Sequence, residues 1–479
     1  MACPILILNY IVLAISLVIP LIAAVKTRTS KAIPLLSWIA VIIFAVASTL
    51  LLIKSLAGPV QFYNGLVVHD KFTSFILLGM SLTGALGLVA AGKDPLLWES
   101  SPGFYSLLPL ALFGAFVISG ATDALTVIAA WLLVSVISYV YIALPPDKDS
   151  RAAALRYILL GAIATLFLVI WLAANTTVAA IQNLAGLAIA PLTTDKVSGL
   201  ALAAFIAALG FKTGIAPFQW WVPSVYGRAD GRVVSIVAGV LKLAFIALLA
   251  RVIYLMAGGM LVGSTAGSPF AMPVSGKAIA MVLAVLAVAS MTYGNIAALT
   301  TDDLRALLAY SAIAQIGYIV AALSALAYFA SSNTRLAEYA LAAVALQTVA
   351  YGLAKAPLFA LTSVDRRIST LRGLLGKNRL AGASAGILLF SLLGMPPMLG
   401  FWGKIYMFIA VAGFSVVLVV IAFINSAISS AYYVRASRDL LASEGSEVEV
   451  PAEIEVSIIA AAALIILFGF IAPIIFSIA

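Results

Sequence analysis

Lys212, Lys242, Lys355 and Lys404 stand deep inside apolar segments of the chain, and no carboxylate occupies the middle of a neighbouring segment. A charged group in hydrocarbon is costly, so a lysine kept there is a functional candidate by default. Burial disfavours the ammonium form, which lets such a lysine exchange protons near neutral pH. Four of one sign imply a series of sites that load and release protons. Two structural alternatives stand beside this reading. Each side chain can stretch along its stem to an interface, and Lys404 can hydrogen-bond carbonyls freed by a helix break.

Polar residues fall in register with the lysines. Gln347, Tyr351 and Lys355 are spaced four apart and share one helix face. Ser311, Gln315 and Tyr318 do the same on the helix before. Such rows can order water and pass protons, or can simply bind helices together at about 0.6 kcal/mol per contact. Two rows beside buried lysines favour the hydrated path. The carboxylates are peripheral: Asp123 opens the fifth helix, Asp302 and Asp303 precede the tenth, and Glu338 begins the eleventh.

The elements that must position these groups are transmembrane helices. Of 479 residues, 64% are hydrophobic and 9% are charged, with a mean hydropathy of +1.18. A soluble domain carries roughly a quarter charged residues. About fourteen segments are long enough to span a bilayer, at roughly 20 apolar residues each, so the fold expected is all-α and polytopic. The apolar start, residues 4–25, lacks a basic leader region and reads as a retained first helix. Basic residues crowd the connections after odd-numbered helices, 17 against 6 after even-numbered ones. That bias puts the odd connections in the cytoplasm and both termini on the outer side. It also accounts for the net charge of +9 without nucleic acid. One cysteine, Cys3, and one histidine, His69 in a loop, leave no ligand set for an iron–sulfur cluster, haem or zinc. No redox cofactor is expected in this chain.

Two segments are too long for a plain span and carry breakers: Leu209-Gly210-Phe211-Lys212-Thr213-Gly214-Ile215-Ala216-Pro217 and Leu393-Gly394-Met395-Pro396-Pro397. Proline ends each helix there, and broken backbone persists in a membrane only where protein or a watery cavity satisfies it. Interrupted helices at corresponding positions point to a transport site. They are the seventh and twelfth helices, five apart, which implies an inverted five-helix repeat. The expected divisions are a three-helix segment at 1–103, repeats at 104–257 and 278–436, and an acidic loop with the last helix at 437–479. Within that loop Glu444, Glu447, Glu449, Glu453 and Glu455 form a solvated stretch or a docking surface.

Three stretches carry a resemblance: Gly210–Tyr226 (GFKTGIAPFQWWVPSVY), Asp303–Tyr318 (DLRALLAYSAIAQIGY) and Gly394–Lys404 (GMPPMLGFWGK). They resemble the signature segments of the antiporter-like, subunit N-type membrane subunits of respiratory complex I (NADH–quinone oxidoreductase). Mrp cation/proton antiporters and membrane-bound hydrogenases contain members of the same family. The resemblance implies fourteen helices, two inverted repeats, and a hydrated axis of lysines. Lys212, Lys242 and Lys404 match its proton-relay positions and Lys355 a basic position on the eleventh helix. It further implies partners: other membrane-arm subunits, quinone and iron–sulfur subunits, and the lipid bilayer.

One departure bears on mechanism. The family's fifth helix carries a glutamate after a tryptophan, and here Leu132 follows Trp131, with Tyr139 closing the run. That glutamate holds the charge on the residue matching Lys212, so charge switching at Lys212 is weakened or handled differently. Gln219, Gln315 and Tyr351 stand where histidines are common, and Arg305 where a lysine is. The reading is a proton-translocating membrane-arm subunit, with Lys212 central, Lys242 linking it inward and Lys404 gating exchange. The rivals are a Mrp-type cation/proton antiporter subunit and a non-pumping structural subunit.

Overall fold

The computed structural model describes residues 3–25, 31–92, 95, 98–183, 194–258, 275–374, 378–442 and 448–477. Among them helices dominate, and apolar length explains why: a backbone in hydrocarbon must satisfy its hydrogen bonds within its own segment. In chain order these are α1 (Cys3–Val25), α2 (Ala32–Ser55), α3 (Lys71–Ala91), α4 (Ser101–Gly120), α5 (Ala124–Ala143) and α6 (Lys148–Asn183). Then come α7 (Thr194–Thr213), the short α8 (Trp221–Tyr226) and α9 (Gly231–Met256). The second half holds α10 (Gly276–Leu299), α11 (Leu304–Phe329), α12 (Thr334–Leu361), α13 (Arg379–Leu393), α14 (Leu399–Ala412), α15 (Val416–Leu440) and α16 (Ala452–Ser477). Twelve are long and apolar enough to cross a membrane. Counting the broken segments α7–α8 and α13–α14 once each gives the fourteen passes expected. The Gly/Ser/Pro-rich connection before α10 lies largely outside the described residues.

The two breaks are built alike. Gly214 (φ 81°) and Gly394 (φ 92°) adopt the left-handed conformation that only glycine takes without cost. Gly214 N donates to Gly210 O at 2.9 Å and Ile215 N to the same oxygen at 2.8 Å. Gly394 N and Met395 N both donate to Phe390 O at 3.0 Å, repeating the pattern. Each break contains one cis X–Pro bond, Ala216–Pro217 and Pro396–Pro397.

The carboxylates are peripheral because they cap helices. Asp70, Asp123, Asp230 and Asp303 accept from backbone N–H groups at the starts of α3, α5, α9 and α11, where an anion also meets the favourable end of the helix dipole. At Asp230 burial works against ionisation, but hydrogen bonds and charge from Arg232 prevail and hold its carboxyl below the usual range.

One element departs from an all-helical expectation. Strands β1 (Val60–Phe62) and β2 (Val67–His69) form an antiparallel hairpin between α2 and α3. It lies against the end of α4, where Thr122 Oγ1 donates to Gly65 O at 2.7 Å. At the centre, α9 and α12 are enclosed on all sides, α11 nearly so, while α1, α6, α15 and α16 present apolar faces outward.

Candidate functional site

None of the four lysines reaches an interface. Each is at most 4% exposed, which rules out stretching to headgroups. Among the described residues, none of their ammonium groups pairs with a carboxylate.

Lys212 ends α7 at the first break. Its Nζ donates to Tyr139 Oη at 2.7 Å, and the rings of Trp131, Tyr139, Tyr157 and Phe245 lie 4.3 to 5.6 Å away. Lys242 follows a wide i→i+5 turn of α9, Val237–Leu241, a feature common at functional sites. Its Nζ makes no hydrogen bond among the described residues. It lies over the rings of Tyr226 and Tyr351 at 5.8 and 5.5 Å, and 3.7 Å from where a Cβ on Gly214 would stand. Lys355 approaches Tyr351 from its own helix, 5.9 Å from the ring centre. One tyrosine ring is therefore flanked by two lysines.

The rows on α11 and α12 face each other. Lys355 Nζ donates to Leu308 O at 2.6 Å and to Ser311 Oγ. Gln347 Nε2 donates to Gln315 Oε1 at 2.6 Å. Gln315 Nε2 in turn donates to Leu392 O at 2.8 Å and to Tyr433 Oη at 3.1 Å. Tyr318, expected in the same row, instead receives a hydrogen bond from Asn295 Nδ2 at 3.4 Å and offers its ring to Lys404 at 4.6 Å. Lys404 itself donates to Leu393 O at 2.6 Å and Ser426 Oγ at 2.9 Å. It thus holds a carbonyl at the second break, as its position after that break allowed. The Tyr351 hydroxyl, in contrast to its ring, has no hydrogen-bond partner among the described residues. All eight residues singled out from sequence are buried; Lys242, Tyr351, Lys355 and Ser311 are in contact and Gln347 pairs with Gln315, while Lys212 and Lys404 hold other partners.

Sequence reasoning misplaced three residues and overlooked a fourth. His69, expected in a loop, is buried in β2, with Nδ1 3.3 Å from Thr73 Oγ1 and its ring 4.7 Å from that of Phe116. Burial, reinforced by the Arg251 guanidinium, pushes its imidazole down to about 3. Arg251, one of the six basic residues assigned to connections after even-numbered helices, is buried in α9 and donates from Nη1 to Ser119 O at 3.1 Å. Arg305 is likewise buried. It ties α11 to two connections by donating to Thr362 Oγ1 at 2.9 Å and Ala229 O at 2.8 Å. Hydropathy cannot separate a cation at a helix end from one roofed over by a distant segment. Tyr139 was legible: it lies eight residues after Trp131, hence on the same face of α5. Leu132, by contrast, is 44% exposed and shares an outward stripe with Val136 and Val140. Of the acidic stretch, Glu444 and Glu447 lie outside the described residues. Glu455 accepts from Asn378 Nδ2 at 2.6 Å, and Glu449 and Glu453 line a hollow of about 400 Å³ with Arg232.

Comparison with known proteins places this arrangement. NADH-quinone oxidoreductase subunit N of Anaeromyxobacter sp. (strain Fw109-5) is 30% identical over 447 residues, covering 88% of this chain and 84% of that one. A chain in the structure of respiratory complex I from Thermus thermophilus with bound aureothin superposes with a TM-score of 0.76 at 27% identity, covering 98% of each. A chain of the Mrp complex from Dietzia sp. DQ12-45-1b shares the fold, with a TM-score of 0.78 at 16% identity over 98% of this chain and 95% of that one. Residues 121–429 match the family described as NADH:quinone oxidoreductase/Mrp antiporter, TM. With its broken helices and buried lysines in place, the chain belongs to the NADH:quinone oxidoreductase/Mrp antiporter family of transmembrane proteins.

Proposed function

We propose that this chain is a proton-translocating membrane-arm subunit of a complex I-like NADH (or other reduced carrier):quinone oxidoreductase. One observation carries the reading: among the described residues Lys212, Lys242, Lys355 and Lys404 are buried and unpaired with carboxylates, Lys242 and Lys355 share the Tyr351 ring, Lys355 bonds Ser311, and Gln347 bonds Gln315. An uncompensated cation in this setting is costly, so charge arriving at one lysine displaces charge from the next. Electron transfer belongs to partner quinone and iron–sulfur subunits, with no cofactor in this chain. Its seat is the cytoplasmic (inner) membrane, both termini on the outer side. The matching backbone of the two breaks supports reading 104–257 and 278–436 as inverted repeats, between the segments 1–103 and 437–479.

The test uses inverted membrane vesicles holding the assembled complex. Lys212→Met and Lys242→Met should each lower protons moved per electron while the complex assembles. Unchanged translocation in both variants refutes the relay. Sodium-dependent proton flux without electron transfer would instead identify a Mrp-type antiporter.

A further inference from the structure

We propose that an aromatic cage, in place of a carboxylate, holds the ammonium of Lys212, with Tyr139 as its positioning residue. The inference rests on the relay reading and says how its central site is governed.

Four rings from three helices converge on one nitrogen. Trp131 and Tyr139 come from α5, Tyr157 from α6 and Phe245 from α9, at 5.6, 4.3, 5.5 and 5.2 Å from Lys212 Nζ. Each ring presents a negative face, and such attraction strengthens when water is excluded. The surroundings fix the rings. Trp131 Nε1 donates to Thr165 Oγ1 at 3.0 Å, and Tyr157 stacks on Trp221 at 4.7 Å with 13° between planes. Trp221 Nε1 is tied to Phe211 O at 2.7 Å, next to Lys212. Tyr139 reaches the nitrogen only because residue 161 is glycine: a methyl group there would overlap the Tyr139 hydroxyl. Such a path is unneeded by a tyrosine that merely fills space.

The family's acid is absent here, while Trp131 and Tyr139 of the same run are kept. Leu132 lies on the outward stripe of α5 and offers no charge. A carboxylate can be neutralised by the very proton that Lys212 handles, whereas rings cannot. The cage therefore holds the charge passively, and release falls to Lys242, which lies one turn before Phe245 on α9 and against the Gly214 break.

The experiment replaces Phe245 in the assembled complex with phenylalanines of increasing fluorine content, which drains the ring face while nearly keeping its shape. Proton translocation and electron transfer are measured together, with Tyr139→Phe, Tyr139→Leu and Lys212→Met alongside. Protons moved per electron should fall stepwise with fluorination, reaching about three- to tenfold for the most fluorinated ring. Tyr139→Phe, which keeps the ring, should retain more translocation than Tyr139→Leu. A flat response to fluorination, with Lys212→Met defective, overturns the cage and leaves the relay standing. Wild-type translocation by Lys212→Met overturns both.

Discussion

Replacing Lys404 with methionine separates the energetic role of a buried lysine from its functional one. In the wild type Nζ makes two charge-assisted hydrogen bonds, to Leu393 O at 2.6 Å and Ser426 Oγ at 2.9 Å, each contributing about 1.5–3 kcal/mol. Against them stands the penalty of burying an ammonium, which in proteins remains several kcal/mol. Methionine has nearly the same length and leaves the stem contact, where Cδ lies 2.8 Å from the position of a Gly394 Cβ. The freed Leu393 carbonyl costs about 1–3 kcal/mol, and relief of desolvation offsets it. Lys404→Met should therefore stay within about 2 kcal/mol of wild type while protons per electron fall severalfold. Lys404→Ala also loses the stem and should cost about 2–5 kcal/mol through a cavity. Thermal melting of the detergent-purified complex gives the first quantity, and dye-reported acidification in inverted vesicles the second. A methionine variant that melts like the alanine one, or that pumps normally, would refute the reasoning.

Three further outcomes are expected. Gly161→Ala should destabilise by about 1–3 kcal/mol through overpacking and reproduce the translocation loss of Tyr139→Leu, checked by melting and pumping in one preparation. Gln347→Leu strands Gln315 Oε1 at a cost of about 1–3 kcal/mol, and adding Gln315→Leu should recover part of it; additive losses in a double-mutant cycle would deny the contact. His69 stays neutral in the folded chain down to about 3, while the unfolded chain takes up a proton near 6.5. Stability from this group is therefore complete above 6.5 and declines as pH falls from there toward 3. His69→Gln should flatten that part of a melting-temperature profile, and an unchanged slope would exclude the imidazole as its source.

How much was legible from sequence differs between the fold and the site. Membrane passes declare themselves one at a time, since each must satisfy its own backbone, and the breaks at Gly214 and Gly394 are marked by local glycine and proline. The four lysines were visible for the same reason: charge stands out against hydrocarbon. What each lysine touches was not. Tyr139 lies 73 positions before Lys212, and Ser311 lies 44 before Lys355, so only packing of remote helices brings them together. Periodicity put Gln347, Tyr351 and Lys355 on one face correctly, yet could not show that Tyr318 turns from the row of Ser311 and Gln315 toward Lys404. The hairpin 60–69 escaped notice because three-residue strands carry almost no pattern, and with it went the burial of His69 at its end.

The two breaks share a backbone but grip their cations differently. Lys404 is tethered by a carbonyl and a hydroxyl, contacts that have direction and must be severed before the side chain swings. Around Lys212, among the described residues, a single hydrogen bond, to Tyr139 Oη at 2.7 Å, sets a direction, and the other neighbours are ring faces with no lone pair to align with, so the nitrogen can pivot about that one contact. One end of the series thus behaves as a latch and the other as a swivel, and a proton entering at either would meet a different mechanical threshold.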